Sequence, residues 1–333
     1  MNKVIDLFAG CGGFSTGFIR AGFDISYAVE FDVVIAKTYA KNHPSTNLIV
    51  DDIKNVDQNG TFKKGMADII IGGPPCQGFS MAGARIRGDF IDDPRNYLFK
   101  HYYNIVKVVQ PPIFIIENVK GISTMQGGKI FAEILKSFKE IGYNVQHKVF
   151  LVSEFGVPQN RERMIIIGVK NKEWKFDDRI ASVKNRLNLA PKTVWDAIAD
   201  LEHAPTDGSC AIANHTSTKH NKKAVERMGK IASGENFMAL DENIKSVHSG
   251  SYGRLEKDKP SQTITTRFDT PSGGKFIHPT LNRTITPREA ARLQSFPDNF
   301  VFLGNKTSIC KQIGNAVPPQ IGYILAEIIK EVL

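Results

Sequence analysis

Three short stretches of this chain carry side chains that could do chemistry together. The first is Gly72-Gly73-Pro74-Pro75-Cys76-Gln77-Gly78-Phe79-Ser80. Its two prolines stiffen the approach to the thiol and leave two positions without an N–H, and Gly78 allows a turn behind it. A buried cysteine is usually plain packing, but a thiol presented this rigidly suits a nucleophile that must meet a bulky substrate. The second stretch is Glu117-Asn118-Val119 and the third is Gln159-Asn160-Arg161-Glu162-Arg163. A carboxyl and guanidinium groups can hold the charge that a nucleophile's attack places on its target.

The elements that must position these groups are legible around them. Ala67–Ile71 is an apolar run that reads as a buried strand, so Cys76 follows a strand's C-terminal end, where open α/β sheets place their sites. Pro112–Ile116 reads the same way and ends at Glu117. If the two strands are neighbours, Glu117 lies beside Cys76 in a low-dielectric cleft, which drives a carboxyl toward its protonated form. The structural alternative for Glu117 is an ion pair with an arginine such as Arg163. Strand alternation puts Gln159, Arg161 and Arg163 on one face of a strand running into Met164–Gly168, where they need buried partners. A surface salt-bridge ladder with Glu162 is the other use of that stretch. Residues 81–97 have no clear period and read as a long active-site loop whose Arg85 and Arg87 could meet phosphates.

The N-terminus opens a nucleotide-binding βαβ unit: an apolar run at 3–8, a turn containing Gly10, Gly12 and Gly13, then Phe14, Phe18 and Ile19 at helical spacing. Ser15 stands where the dinucleotide fingerprint needs its third glycine. A ligand without a pyrophosphate needs only close backbone approach, which these glycines permit. Strand Ile25–Val29 ends in Glu30, the usual place for an acid that accepts ribose hydroxyls. For Glu30 and Asp52 the alternative is a helix-capping or solvated acid. A helix at 127–141 and strands near 143–151 and 163–169 complete this half.

Taken in order, Asp6-Leu7-Phe8-Ala9-Gly10, Pro74-Pro75-Cys76-Gln77, Glu117-Asn118-Val119, Gln159-Asn160-Arg161-Glu162-Arg163 and Gly314-Asn315-Ala316-Val317-Pro318-Pro319 resemble the blocks of the DNA (cytosine-5)-methyltransferases, of the bacterial type II modification kind. The likeness covers about residues 1–170 and 283–333. It implies an α/β fold: a Rossmann-like doubly wound S-adenosylmethionine-dependent domain with a smaller, loop-rich target-recognition domain inserted. It places the catalytic domain at 1–170, target recognition at 171–300, and a C-terminal segment, 301–333, that returns to the first domain and closes the cofactor pocket. The catalytic residues it implies are Cys76, Glu117, Arg161 and Arg163, with no metal. Its cofactor residues are Phe8, Ala9, Gly10, Gly12, Gly13, Glu30, Phe31, Asp52, Ile53, Gly73, Pro75, Leu98, Asn315 and Ala316, with Phe31 against the adenine. The implied reaction moves a methyl group from S-adenosyl-L-methionine to C5 of a flipped-out cytosine in duplex DNA through a covalent bond from Cys76 to C6. Two rivals use the same scaffold: cytosine-5 methylation of RNA, and DNA binding without catalysis.

Composition agrees without deciding. At 333 residues the chain has room for two domains, and a net charge of +9 favours a polyanionic partner such as double-stranded DNA, though the excess is diffuse. Four widely spaced cysteines with no CxxC pair point to reduced thiols and no structural zinc. No apolar stretch spans a membrane and no signal pattern opens the chain, so the expectation is a cytoplasmic protein; the resemblance implies in addition a nucleoid-associated monomer, with a restriction endonuclease of the same target as candidate partner. Between 171 and 282, Ser, Thr, Asn, Gly and His replace long apolar runs, and Trp195–Leu201 reads as one short helix. There Arg254 and Arg267 could read guanine or bind phosphate. Thr286, Pro287 and Glu289 spell a helix start with a capping box.

Overall fold

The structure, a computed structural model, describes residues 2–75, 97–201, 204–240 and 249–333. Cys76 and the expected loop after it, through Asn96, lie outside the described residues. The chain forms two compact units: Met1–Leu151 with Glu162–Asn188 and Ile321–Leu333, and Val152–Arg161 with Leu189–Gln320. The divisions fall at Asn188 and Gln320, where the sequence reading set them at 170 and 300. A helix unread in the sequence moves the first division: α6 (Phe176–Leu187) packs on the sheet, its Phe176 ring 5.7 Å from that of Phe150.

The first unit is built on a seven-stranded sheet of order β3-β2-β1-β4-β5-β8-β6. Its parallel part comprises β1 (Lys3–Leu7), β2 (Asp24–Val29), β3 (Asn47–Ile49), β4 (Ile69–Gly72) and β5 (Ile113–Val119). β8 (Glu162–Lys170) and β6 (Tyr143–Leu151) add an antiparallel edge. β4 reads as a continuous apolar run, and β1 is buried along Val4–Leu7 and apolar there apart from the acid Asp6, because both faces are covered. On one face, alternate residues Ile5 and Leu7, Phe114 and Ile116, and Met164 and Ile166 pack with α3 (Ile53–Gln58), α4 (Tyr97–Val109) and α5 (Lys129–Glu140). The amphipathic α5 supplies Ile130, Phe131, Ile134 and Phe138. On the other side, α11 (Pro319–Lys330) lies so close to α1 (Gly13–Arg20) that a Cβ on Gly322 would stand 2.8 Å from the Phe14 carbonyl oxygen.

Among its described residues, the second unit has only short ladders. β7 (Gln159–Asn160) pairs with β10 (Ser261–Gln262), and β9 (Gly253–Arg254) pairs with β11 (Lys275–Ile277). Its helices are α7 (Val194–Ile198), α8 (Lys222–Lys230), α9 (Pro287–Leu293) and α10 (Lys306–Asn315). α9 starts as read, with Thr286 and Glu289 forming a complete capping box and proline in the first turn. The alternation expected across 159–163 is corrected here. β7 and β8 belong to different sheets in different units, and Arg161 is the connecting residue, so no single strand face runs through the stretch.

Candidate active site

β1 lies between β2 and β4, so the sheet's order reverses there. Open α/β sheets bind ligands at that switch point, beyond the strands' C-terminal ends. Register aligns those ends: Leu7 pairs with Val29 on one side and Gly72 on the other, and Gly72 pairs with Ile116. The segments leaving the strands therefore converge: Phe8–Gly13 after β1, Glu30 and Phe31 after β2, and Gly73–Pro75 after β4, with Glu117 and Asn118 closing β5.

On the β1–β2 side, Glu30 is 6 % exposed; its two oxygens accept the Gly10 and Asp32 N–H groups, each at 2.9 Å. Burial holds this carboxyl above its ordinary range, while those two N–H groups pull the other way. Each oxygen keeps a lone pair for a further donor. Phe31 is 72 % exposed, and among the described residues no aromatic ring packs against it. Phe8 sits at φ 61, a conformation that bulky residues avoid and that marks strain at working sites. The glycines divide in role. A Cβ on Gly10 (φ +57) would meet open space, whereas one on Gly12 (φ +96) would stand 2.3 Å from the His43 ring. Gly12 is therefore required by the protein's own packing. Phe8, Ile53 and Leu98, read from three distant stretches, share one apolar cluster. Asp52 is exposed and caps α3, accepting the Lys54 N–H at 2.8 Å.

On the β4–β5 side the two strands are neighbours, the condition that sets Glu117 beside the chain running into Cys76. Arg163 Nε donates to Glu117 Oε1 at 2.8 Å, the ion pair weighed as that residue's structural alternative. The other oxygen faces Gly73, whose Cβ, if present, would lie 3.4 Å away. Asn118, for which the sequence reading had no role, is 5 % exposed and donates to the Pro74 carbonyl at 2.9 Å. It thereby pins the proline pair two residues ahead of the thiol. Its signal was its place: a polar side chain ending an otherwise apolar strand. Cys11 and Cys310 are buried, which pushes both thiols up to about 12 and leaves them almost no thiolate at neutral pH.

Two arginines read as functional are engaged by backbone carbonyls. Arg161, expected at the substrate with Arg163, lies in the second unit and donates to the carbonyls of Ile264, Gly314 and Ala316 at 3.0–3.3 Å. Arg254, a candidate for reading guanine, is 7 % exposed. Its guanidinium donates to the carbonyls of Met228, Ile231, His278 and Leu281 and to Asn282 Oδ1, all at 2.6–2.8 Å. No donor is left for a base. Arg267 is exposed. Asn315 and Ala316 end α10 in the second unit, the first exposed and the second buried.

Comparison with known proteins fits this geometry. The family model for C-5 cytosine-specific DNA methylases matches residues 2–331. The chain belongs to that family. The methylase is 39 % identical over 329 residues to the type II methyltransferase M1.HphI of Haemophilus parahaemolyticus, covering 97 % of this chain and 85 % of that one. It is 37 % identical over 344 residues to M.NgoPII of Neisseria gonorrhoeae, covering 99 % and 96 %. Among solved structures, a protein described as a DNA modification methyltransferase encoded within an E. coli prophage superposes with a TM-score of 0.74 at 28 % identity over 99 % of both chains. The Dnmt2 methyltransferase of S. pombe shares the fold, with a TM-score of 0.69 at 18 % identity over 100 % and 99 %.

The methylase also uses Ser15 in a way its sequence only hinted at. Ser15 Oγ donates to Asp6 Oδ2 at 2.6 Å and lies 2.8 Å from the Tyr39 hydroxyl, which then donates to it. Asp6 is 1 % exposed, and burial raises its carboxyl to about 7. The residue that breaks the dinucleotide fingerprint is thus the joint between β1, α1 and α2 (Val33–Asn42). No helix among the described residues is long and apolar enough to cross a membrane.

Proposed function

We propose that this methylase transfers a methyl group from S-adenosylmethionine to C5 of a cytosine flipped out of duplex DNA, with Cys76 as the covalent nucleophile. The observation that carries the reading is the switch-point arrangement: Glu117 on β5, paired with Arg163 of β8, beside the segment leading to Cys76 and across β1 from Glu30 and Phe31. The cofactor fits its side of the site. Glu30 has acceptor capacity for ribose hydroxyls, Phe31 offers an open face to adenine, and Gly10 leaves room for close approach. When bound, S-adenosylmethionine supplies an electrophilic methyl group.

The chain's own residues solve an electronic problem. Cytosine C5 is too weak a nucleophile to take a methyl group unaided. The Cys76 thiolate adds to C6, and the ring's electron pair becomes available at C5. Glu117, oriented by Arg163, holds N3 and the exocyclic amine and stabilises the charge that addition creates; Arg163 also holds O2. Once C5 is methylated, its proton leaves to a base, the C6–sulfur bond breaks and the ring's aromaticity returns. Neither Arg161 nor Arg254 has a part in these steps. Target choice belongs to the second unit, through exposed side chains such as Arg267, and the workplace is wherever the cell's DNA lies. A cognate restriction endonuclease is the implied partner, since the relatives are type II methyltransferases.

The test uses duplex DNA carrying 5-fluorocytosine, whose C5 fluorine cannot depart as a proton. The parent protein should form a stable covalent adduct in the presence of S-adenosylmethionine, and Cys76→Ala should form none. An adduct with Cys76→Ala overturns the assignment of the nucleophile. Methylation of tRNA but not of duplex DNA in side-by-side assays would favour the RNA reading.

A further inference from the structure

Helix α8 of the second unit has a composition that its own stability does not explain. Its sequence is KKAVERMGK: Lys222 and Lys223 open the first turn, and no acid stands there. Cations at a helix N-terminus oppose the macrodipole, so these lysines cost the helix a little. Ala224 and Met228, four apart, are buried, and Met228 packs with Ile231, Leu240 and Ile277. The opposite side carries Lys222, Lys223, Glu226 and Lys230, all exposed, with Lys219 just ahead and Arg227 half-buried over the Tyr252 ring. Lys222, Lys223, Glu226, Arg227 and Lys230 together line one surface depression of about 350 Å³. Among the described residues, none of Lys219, Lys222, Lys223 and Lys230 has a carboxylate within ion-pair distance.

The helix is held firmly in this attitude. Asn221 Oδ1 accepts the Ala224 N–H at 2.8 Å at the start. At the end, Arg254 takes the Met228 and Ile231 carbonyls at 2.6 and 2.7 Å while also gripping the 278–282 turn. A buried arginine thus clamps the C-terminal turn of a helix whose outer face is rich in exposed lysines. From Lys222 to Lys230 the helix advances about 12 Å, the rise of three to four phosphates along one strand of duplex DNA (about 3.4 Å each).

We propose that the exposed face of α8 binds the phosphate backbone of duplex DNA, positioning the second unit without reading sequence. This rests on the DNA-methylase reading and adds the surface that supplies affinity. Phosphate contacts fix register and orientation, and their number sets the salt dependence of binding. Glu226, the single acid in the patch, opposes the interaction.

The experiment measures duplex affinity of the full chain by fluorescence anisotropy with a labelled duplex of random sequence, from about 50 to about 200 mM salt. Lys222→Gln/Lys223→Gln/Lys230→Gln should lower the slope of log K against log salt by about 2–3, at about 0.9 per lost phosphate contact. The corresponding Lys→Arg triple should keep the parent's slope, and Glu226→Gln should bind more tightly than the parent, a gain that misfolding cannot produce. A Gln triple on the first unit (Lys136, Lys139, Lys184) serves as control. A Gln triple in α8 with the parent's slope overturns the proposal, as does a slope change found with duplex RNA and absent with DNA. A parent chain that does not bind duplex DNA at all overturns the methylase reading itself, so the two failures are distinct.

Discussion

In the first unit the buried backbone is paired strand to strand across seven strands, and its arginine and carboxylates gather at one end of the sheet. In the second unit the ladders are two or three residues long, and buried carbonyls are met by guanidinium groups instead. Arg161, Arg254 and Arg288 all serve this way; Arg288, fully buried, donates to the carbonyls of Ala213, Pro297 and Phe300. The difference follows from the need to satisfy every buried carbonyl. A sheet does so by repetition and leaves its side chains available for chemistry. Irregular chain cannot, and arginine, with five donors on a rigid fork, is the side chain that reaches several carbonyls at once.

The largest expected effect tests that contrast from the irregular side. Arg254→Met should destabilise the second unit by about 4 kcal/mol or more, since it leaves four carbonyls unmet, three of them buried. Hydrogen exchange should then show lost protection around residues 222–240 and 275–283, with the amides of β1, β4 and β5 still protected. Undiminished stability in urea would show that the arginine is dispensable and the contrast false.

Glu117→Gln probes the other side. It should slow single-turnover methylation by about 100-fold or more, the usual scale of a lost acid–base or charge-holding group, while the sheet still melts cooperatively. A variant as fast as the parent would remove Glu117 from the chemistry. Glu30→Ala should weaken S-adenosylmethionine binding by about 1–3 kcal/mol, the value of hydrogen bonds to a charged partner. Calorimetry giving equal affinities would place the ribose elsewhere.

A pH-dependent effect concerns Asp6, whose carboxyl is raised from 3.8 to about 7 by burial. Between those values the folded chain keeps the proton and the unfolded chain releases it. Stability from this group is therefore full below about pH 4 and falls as pH rises, by up to about 1.4 kcal/mol per unit, levelling off above about pH 7. His43, pushed down to about 4 by burial, acts in the opposite sense below about pH 6.5, but it does so in parent and variant alike. Asp6→Asn should thus gain on the parent steadily from pH 4 to 7 in denaturant titrations. A constant difference across that range would mean that Asp6 titrates like an exposed acid.

Much of the first unit was readable from local pattern. Its strands are short apolar runs closed by glycine or proline, and its site residues lie immediately after them, so the same pattern located both. The helices α2, α3, α6, α8 and α10 were missed because their apolar positions are few. Asp32, Asp52, Asn221 and Asn305 cap four of them, and a cap before a weak period is easily read as loop. In the second unit the reading found α7 and the capped start of α9, both encoded within a few residues.

By itself, then, the sequence determined the family, the sheet that carries the site, and the order in which thiol, carboxyl and guanidinium follow their strands. These are encoded locally, in period, turn chemistry and motif. Only the tertiary structure decided what each arginine does. Arg163 and Arg161 are two residues apart, yet one meets a carboxylate on β5 and the other meets carbonyls from residues 264, 314 and 316. The same holds for Arg254 and Arg267, one saturated inside and one exposed. A guanidinium's partners come from chain segments tens to hundreds of residues away, and no local pattern records which carbonyls the folded backbone will leave unpaired.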